Sequence, residues 1–226
     1  MRPHTRWLSG ALLSALAIIV LDAQGQVAPS RGELAQYQGL FAAALGNRAA
    51  DIKTLIAGGA KVDARDGYQR TPLHAAAHFA KHDAMRALAA AGADVNALEQ
   101  DRYDIVTIAA VANDVPALKL ALELGCKATN INSRYDGTAL IAAAHLGHAG
   151  VVRILIAAGA PLDHVNNLHW TALIESIVLG NGGPHYTLTL KYLVEAGANL
   201  TLADRSGATP LALAKSRGYR EMSAIL

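Results

Sequence analysis

The chain reads as an all-α solenoid of about six helix-turn-helix units joined by short hairpin loops, and three features predict that class. A short apolar motif recurs along the 226 residues at steps of 33, 34, 33 and 38. A glycine recurs in register with it, and hydrophobic residues reach 52% while aromatics are only 5%. Abundant alanine with few aromatics suits close helix-on-helix packing better than a β-sandwich.

The first element lies outside the repeats. Arg2, His4 and Arg6 precede an apolar run from Trp7 to Leu21 that only Ser9, Gly10 and Ser14 interrupt. This is the pattern of a secretory signal peptide, with small residues Ala23 and Gly25 placed for cleavage after Gly25 and a mature chain starting at Gln26. The competing reading is an uncleaved membrane anchor, although the run is shorter than the ~20 residues that span a bilayer comfortably. Without residues 1–25 the chain keeps 18 basic and 17 acidic residues, because Arg2, Arg6 and Asp22 are lost. That balance, with no run of lysine or arginine, argues against nucleic acid as the partner. Cys126 is the only cysteine, so no disulfide forms within the chain. Residues 26–37 read as a lead-in segment, the polar or small stretch 26–34 being expected to be mobile.

The repeats then follow in order. Thr71-Pro72-Leu73-His74-Ala75-Ala76-Ala77 is echoed by Asp104-Ile105-Val106-Thr107-Ile108-Ala109-Ala110 and by Thr138-Ala139-Leu140-Ile141-Ala142-Ala143-Ala144. Thr171-Ala172-Leu173-Ile174 and Thr209-Pro210-Leu211-Ala212-Leu213-Ala214 continue the series. Gly92, Gly125 and Gly159 each lie 21 residues after the start of their unit. Running the template backwards aligns Gln38 with the start and Gly59 with the glycine. The units therefore fall near 38–70, 71–103, 104–137, 138–170, 171–208 and 209–226. Within a unit, leucine or valine followed by alanines at helical spacing gives a short first helix with a small apolar face. A second helix follows, as in Val151, Val152, Ile154, Leu155 and Ile156, and the glycine ends it by taking the left-handed conformation. No unit buries both helices alone, so stability comes from stacking neighbours, with Lys215, Arg217, Arg220 and Glu221 as a polar terminal exterior.

Thr71 to His74 with Gly92-Ala93-Asp94-Val95-Asn96, and Asp204-Arg205-Ser206-Gly207-Ala208-Thr209-Pro210-Leu211, resemble the ankyrin-repeat family over residues 35–226. The resemblance implies a protein-binding module without catalysis, whose partners meet the hairpin tips and the inner faces of the first helices. It extends to the small ankyrin-repeat proteins that Gram-negative bacteria export to the periplasm, some of which are associated with periplasmic catalase and peroxide defence. An immunity protein that blocks an exported toxin such as a lipase is the alternative within the binding class, and a host-directed effector is a third.

The tips carry Tyr68 and Arg70, Arg102 and Tyr103, Arg134 and Tyr135, His169 and Trp170, and finally Arg205. Tyrosine, tryptophan and arginine are the residues that most often anchor interfaces, so these nine are expected to face outward as a ladder that meets a folded protein. The alternative is that single exposed aromatics merely stabilise their own hairpins.

Chemistry has less support. His74, His78 and His82 are spaced by four and could be imagined as metal ligands. The resemblance instead implies that His74 ties its loop to the repeat by hydrogen bonds, with His82 in the turn between helices; His145 and His148 have the same explanation. A metal or enzyme function using His74 and His78 is the competing class, but no cofactor or metal is expected. Cys126 fills a small, buried alanine slot. In unit five, Asn181-Gly182-Gly183-Pro184-His185 adds five residues, which are expected to lengthen the inter-helix turn as a surface insertion. The segment lacks the lysine and hydroxyl ending of a phosphate loop. A monomer is expected.

Overall fold

Five of the six units open on a residue whose side chain caps a helix. A computed structural model describes residues 28–226; the signal-peptide expectation for residues 1–25 lies outside them. Thr71, Asp104, Thr138, Thr171 and Thr209 are extended N-caps, and each accepts from the backbone N–H three residues on. Asp104 thus replaces threonine without loss of the cap. Gln38 makes no such bond, and unit one starts without it.

Thirteen helices are present among the described residues. A leading helix α1 (Arg31–Gln36) precedes six pairs. The pairs are α2 (Gly39–Leu45) with α3 (Ala49–Ala57), α4 (Pro72–His78) with α5 (His82–Ala90), and α6 (Ile105–Val111) with α7 (Val115–Glu123). They continue as α8 (Ala139–His145) with α9 (Ala149–Ala157), α10 (Ala172–Val178) with α11 (Pro184–Glu195), and α12 (Pro210–Ser216) with α13 (Arg220–Ile225). Helices of six to twelve residues are too short to hold alone, so tertiary packing supplies their stability.

That packing is linear. The first helices form one row in which α2, α4, α6, α8, α10 and α12 each touch the next, and the second helices form a parallel row behind them. Between the rows lie Leu73, Val106, Leu140 and Leu173 from the first helices and Met85, Leu88, Leu118, Val152, Leu155, Leu190 and Leu193 from the second. Ala43, Ala76, Ala109, Ala143 and Ala214 are buried, which is what lets the first helices approach closely. The glycines past the second helices, Gly59, Gly92, Gly125, Gly159 and Gly197, all have positive φ, between 78° and 92°. The array is a stack of helix pairs with its hairpin tips bonded to one another along one edge, as a repeat solenoid requires.

Two expectations need correction. Residues 31–36 are helical rather than part of a mobile lead-in, because Ser30 and Glu33 form a reciprocal capping box and Glu33 reaches the buried Arg70 of unit two. Tyr37, just after this helix, donates from its hydroxyl to Asp66. The insertion in unit five is only partly a longer turn. Its turn spans 179–183 where unit four uses 146–148, and the remaining three residues extend the second helix to twelve residues from nine. Pro184 opens that helix at a position where a missing N–H is harmless, and Tyr186 then covers Gly147 of unit four while Tyr219 covers Gly182. The surplus residues therefore pack against both neighbouring units.

Candidate functional site

The hairpin tips share one construction that the sequence reading missed. Five residues before each N-cap stands an acceptor: Asp66, Glu99, Ser133, Asn166 and Asp204. Each takes two backbone N–H bonds from residues two and four further on, for example Tyr68 and Arg70 to Asp66 Oδ1, both at 2.9 Å. The same pair of bonds recurs at Glu99, Ser133, Asn166 and Asp204. The third residue after the acceptor is left-handed at every tip: Gln69, Arg102, Asp136, His169 and Gly207. A side-chain acceptor thus does for each tip what a backbone ladder does in a β-hairpin. The available signal was the polar residue at a fixed offset before the threonine.

Neighbouring tips are also linked. Gln100 N donates to Tyr68 O at 3.0 Å, Ser133 N to Arg102 O at 3.1 Å, and Asn167 N to Tyr135 O at 2.9 Å. Arg102 pairs with Asp136 at 2.7 Å and Arg134 with Asp101 at 2.8 Å, each across one tip-to-tip gap. Arg205 Nη2 donates to Asn167 O at 3.0 Å. The edge of the solenoid is a continuous, hydrogen-bonded surface.

The nine ladder residues separate into three groups on this edge. Tyr68, Arg102, Arg134, His169 and Arg205 are exposed, while Tyr135 and Trp170 are half-buried. Arg70 and Tyr103 are buried, at 1% and 8% exposure, so the expectation that both face outward is corrected. The reason is register. Tyr68 and Tyr135 stand three residues before the N-cap, at the turn's outer corner, whereas Arg70, Tyr103 and Trp170 stand one residue before it, where the chain has turned back onto the first helix. Tyr103 joins the core there and Trp170 packs against it. Arg70 is held by Asp66 at 2.7 Å and by Glu33, with its guanidinium carbon 4.7 Å above the Tyr68 ring.

Inward of the tips, units three to five enclose a cleft walled by Tyr135, Ile141, Ala142, His145, Leu168 and Glu175. Glu175 is 3% exposed. Its Oε1 accepts from Asn166 Nδ2 at 2.9 Å, and its Oε2 lies 3.0 Å from His145 Nδ1. A carboxylate can only accept, so His145 Nδ1 carries a proton and donates it to Glu175. Sequence reading passed over Glu175, although the signal was there: the same position holds Ala42, Ala75, Ile108, Ala142 and Leu213 in the other five units.

Of the remaining candidates, His74 and His148 make hydrogen bonds that join neighbouring units. His74 Nδ1 accepts from Thr71 N at 3.2 Å, and its Nε2–H is shared between the carbonyls of Ala97 and Tyr103, at 3.1 and 3.2 Å. It therefore ties unit two to the tip of unit three, as expected, and burial holds its pKa down to about 4. His78 is held to about 4 as well, first by burial and then by the charge His74 would carry. His82 opens α5 instead of lying in the turn, and His148 Nδ1 meets Ala110 O at 3.0 Å. Among the described residues no three histidine, cysteine or acidic side chains cluster as metal ligands would. Cys126 is buried with its Sγ 3.2 Å from Val95 O, and burial pushes the thiol up to about 12, the wrong direction for a nucleophile.

Stacked helix pairs edged by braced tips define a repeat scaffold that presents a continuous surface. The family model for ankyrin repeats in three copies matches residues 106–187, and the single-repeat model matches 68–100. The ankyrin repeat protein YahD of Escherichia coli (strain K12) is 31% identical over 180 residues, covering 77% of this chain and 87% of YahD. The crystal structure of an ankyrin repeat domain from Acinetobacter baumannii AYE is 42% identical with a TM-score of 0.77, over 82% of this chain and 94% of that one. The ankyrin repeat protein EF0377 is 32% identical with a TM-score of 0.76, over 84% and 97%. The chain belongs to the ankyrin-repeat family, whose repeats are protein–protein interaction modules.

Proposed function

We propose that this chain is an exported, non-catalytic module that binds a folded protein in the periplasm along its tip edge. Export is supported by the basic start and apolar run of residues 1–21 followed by Ala23 and Gly25. The observation that carries the binding reading is that Tyr68, Arg102, Arg134, His169 and Arg205 lie exposed on tips fixed by paired side-chain acceptors and cross-tip bonds. Pre-ordered aromatic and arginine side chains lose little entropy on association, which favours them as anchors. Arg70 and Tyr103 support the surface from beneath. A periplasmic enzyme such as a catalase is the partner class that the resemblance to exported bacterial relatives suggests, with support of peroxide defence as the process.

The test is capture from a periplasmic extract by the chain starting at Gln26, beside a variant carrying Tyr68→Ala, Arg134→Ala and Tyr135→Ala. One protein retained by the wild type and lost from the folded variant supports the tip edge and identifies the partner. Equal retention by both moves binding away from the tips.

A further inference from the structure

We infer that the cleft between units three, four and five receives an arginine side chain from the bound partner. The inference rests on the reading that this face binds protein, and it specifies what the cleft recognises.

The argument begins with the position of Glu175. The equivalent site is apolar in every other unit, and a carboxylate at 3% exposure there gives up most of its hydration. Packing does not require it, because Ala42, Ala75, Ile108, Ala142 and Leu213 build the same fold without it. Its two oxygens receive one protein donor each, Asn166 Nδ2 and His145 Nδ1, while a carboxylate offers about four acceptor sites. Acceptor capacity is left over in a low-dielectric wall.

His145 holds the carboxylate in place. Its Nδ1–H is committed to Glu175, 3.0 Å away.

The rest of the cleft is mostly apolar, with Asn132, Ser133 and Thr138 as further polar residues on its wall. Tyr135, Ile141 and Leu168 line it, leaving Ala142 as a small residue on its wall. A mostly apolar passage ending in a carboxylate with acceptor sites left over matches a side chain with a methylene stem and a cationic, planar head. Arginine fits better than lysine: its guanidinium is more weakly hydrated, offers five donors in a plane and stacks on aromatic rings such as Tyr135.

The probe is N-acetyl-L-arginine methylamide, titrated into the ¹⁵N-labelled chain and followed by NMR, with the citrulline analogue as the uncharged isostere. Shifts are expected at Tyr135, Ala142, His145 and Leu168, with an affinity on the order of a millimolar for a ligand of this size. The citrulline analogue is expected to bind at least roughly tenfold more weakly. Glu175→Gln and the cleft-filling Ala142→Phe are each expected to abolish the shifts. Ala142→Phe leaves the Glu175–His145–Asn166 bonds untouched and so guards against a result caused by misfolding. Equal binding of both probes, shifts centred elsewhere, or no saturable shift overturns the assignment. In the capture experiment, a partner retained equally by wild type and by Ala142→Phe also overturns it. The tip-edge reading survives that result provided the tip variant still loses the partner.

Discussion

Arg70, 1% exposed at the base of the first tip, is paired with Glu33 of the leading helix, so a segment outside the repeats neutralises a charge buried inside them. Asp66 holds the same guanidinium at 2.7 Å and receives the Tyr37 hydroxyl, closing a four-residue clasp. Breaking one partner of a buried pair leaves a charge uncompensated, although Asp66 moderates the loss here. Glu33→Gln is expected to cost about 1–3 kcal/mol of unfolding free energy. Urea titration checks this, and Glu33→Gln in an Arg70→Met background should cost much less if the clasp is the cause.

The two low histidine pKa values predict an acid limb in stability. His74 and His78 have folded values of about 4 against 6.5 unfolded, so between those pH values the unfolded chain binds more protons. Stability is therefore full above about pH 6.5 and falls as pH drops toward 4. A shift of this size corresponds to at most roughly 3 kcal/mol for one group, and the two are not additive because each charge opposes the other. His78→Gln removes one titrating group without touching the His74 hydrogen bonds. The urea midpoint of that variant should decline less between pH 6.5 and 4 than the wild type's; an identical decline would exclude His78 as a contributor.

Unit five supplies a prediction about close approach. A Cβ at Gly180 would lie 2.1 Å from the Ser176 carbonyl oxygen and within 3 Å of the Tyr186 ring, because the extended α11 brings that ring over the turn. At Gly92, φ is 88° but nothing lies within 4 Å. Gly92→Ala should therefore cost only the left-handed strain, about 1 kcal/mol. Gly180→Ala must displace the backbone or Tyr186, and should cost about 2–4 kcal/mol. Thermal melts of the two variants decide the order.

The fold was legible because its determinants are local and repeated. Each threonine cap, each terminating glycine and each alanine face is specified within one unit, and the repetition removes ambiguity. What escaped was set by pairs distant in sequence or by register within the tips. The helix at 31–36 depends on Ser30 and Glu33, but its docking depends on Arg70. Glu175 looks like an ordinary helical surface residue until aligned with Ala142 and Leu213. Aromatics two residues apart in the tips read alike in the sequence, yet Tyr68 is 40% exposed and Tyr103 only 8%.

That difference separates stability from binding within the nine candidates. Tyr103 is surrounded by core residues and its carbonyl accepts from His74, so Tyr103→Ala opens a cavity beneath the tip. A buried aromatic truncation of this kind costs about 3–5 kcal/mol. Tyr68 is exposed with the Arg70 guanidinium over its ring, and an exposed contact of that type contributes about 0.5–1 kcal/mol. Tyr68→Ala should therefore melt close to the wild type while weakening capture of the partner. Tyr103→Ala should melt far lower and, at a temperature where it is still folded, retain the partner. Loss of binding by a folded Tyr103→Ala with full binding by Tyr68→Ala would place recognition on the inner helix faces and not on the tips.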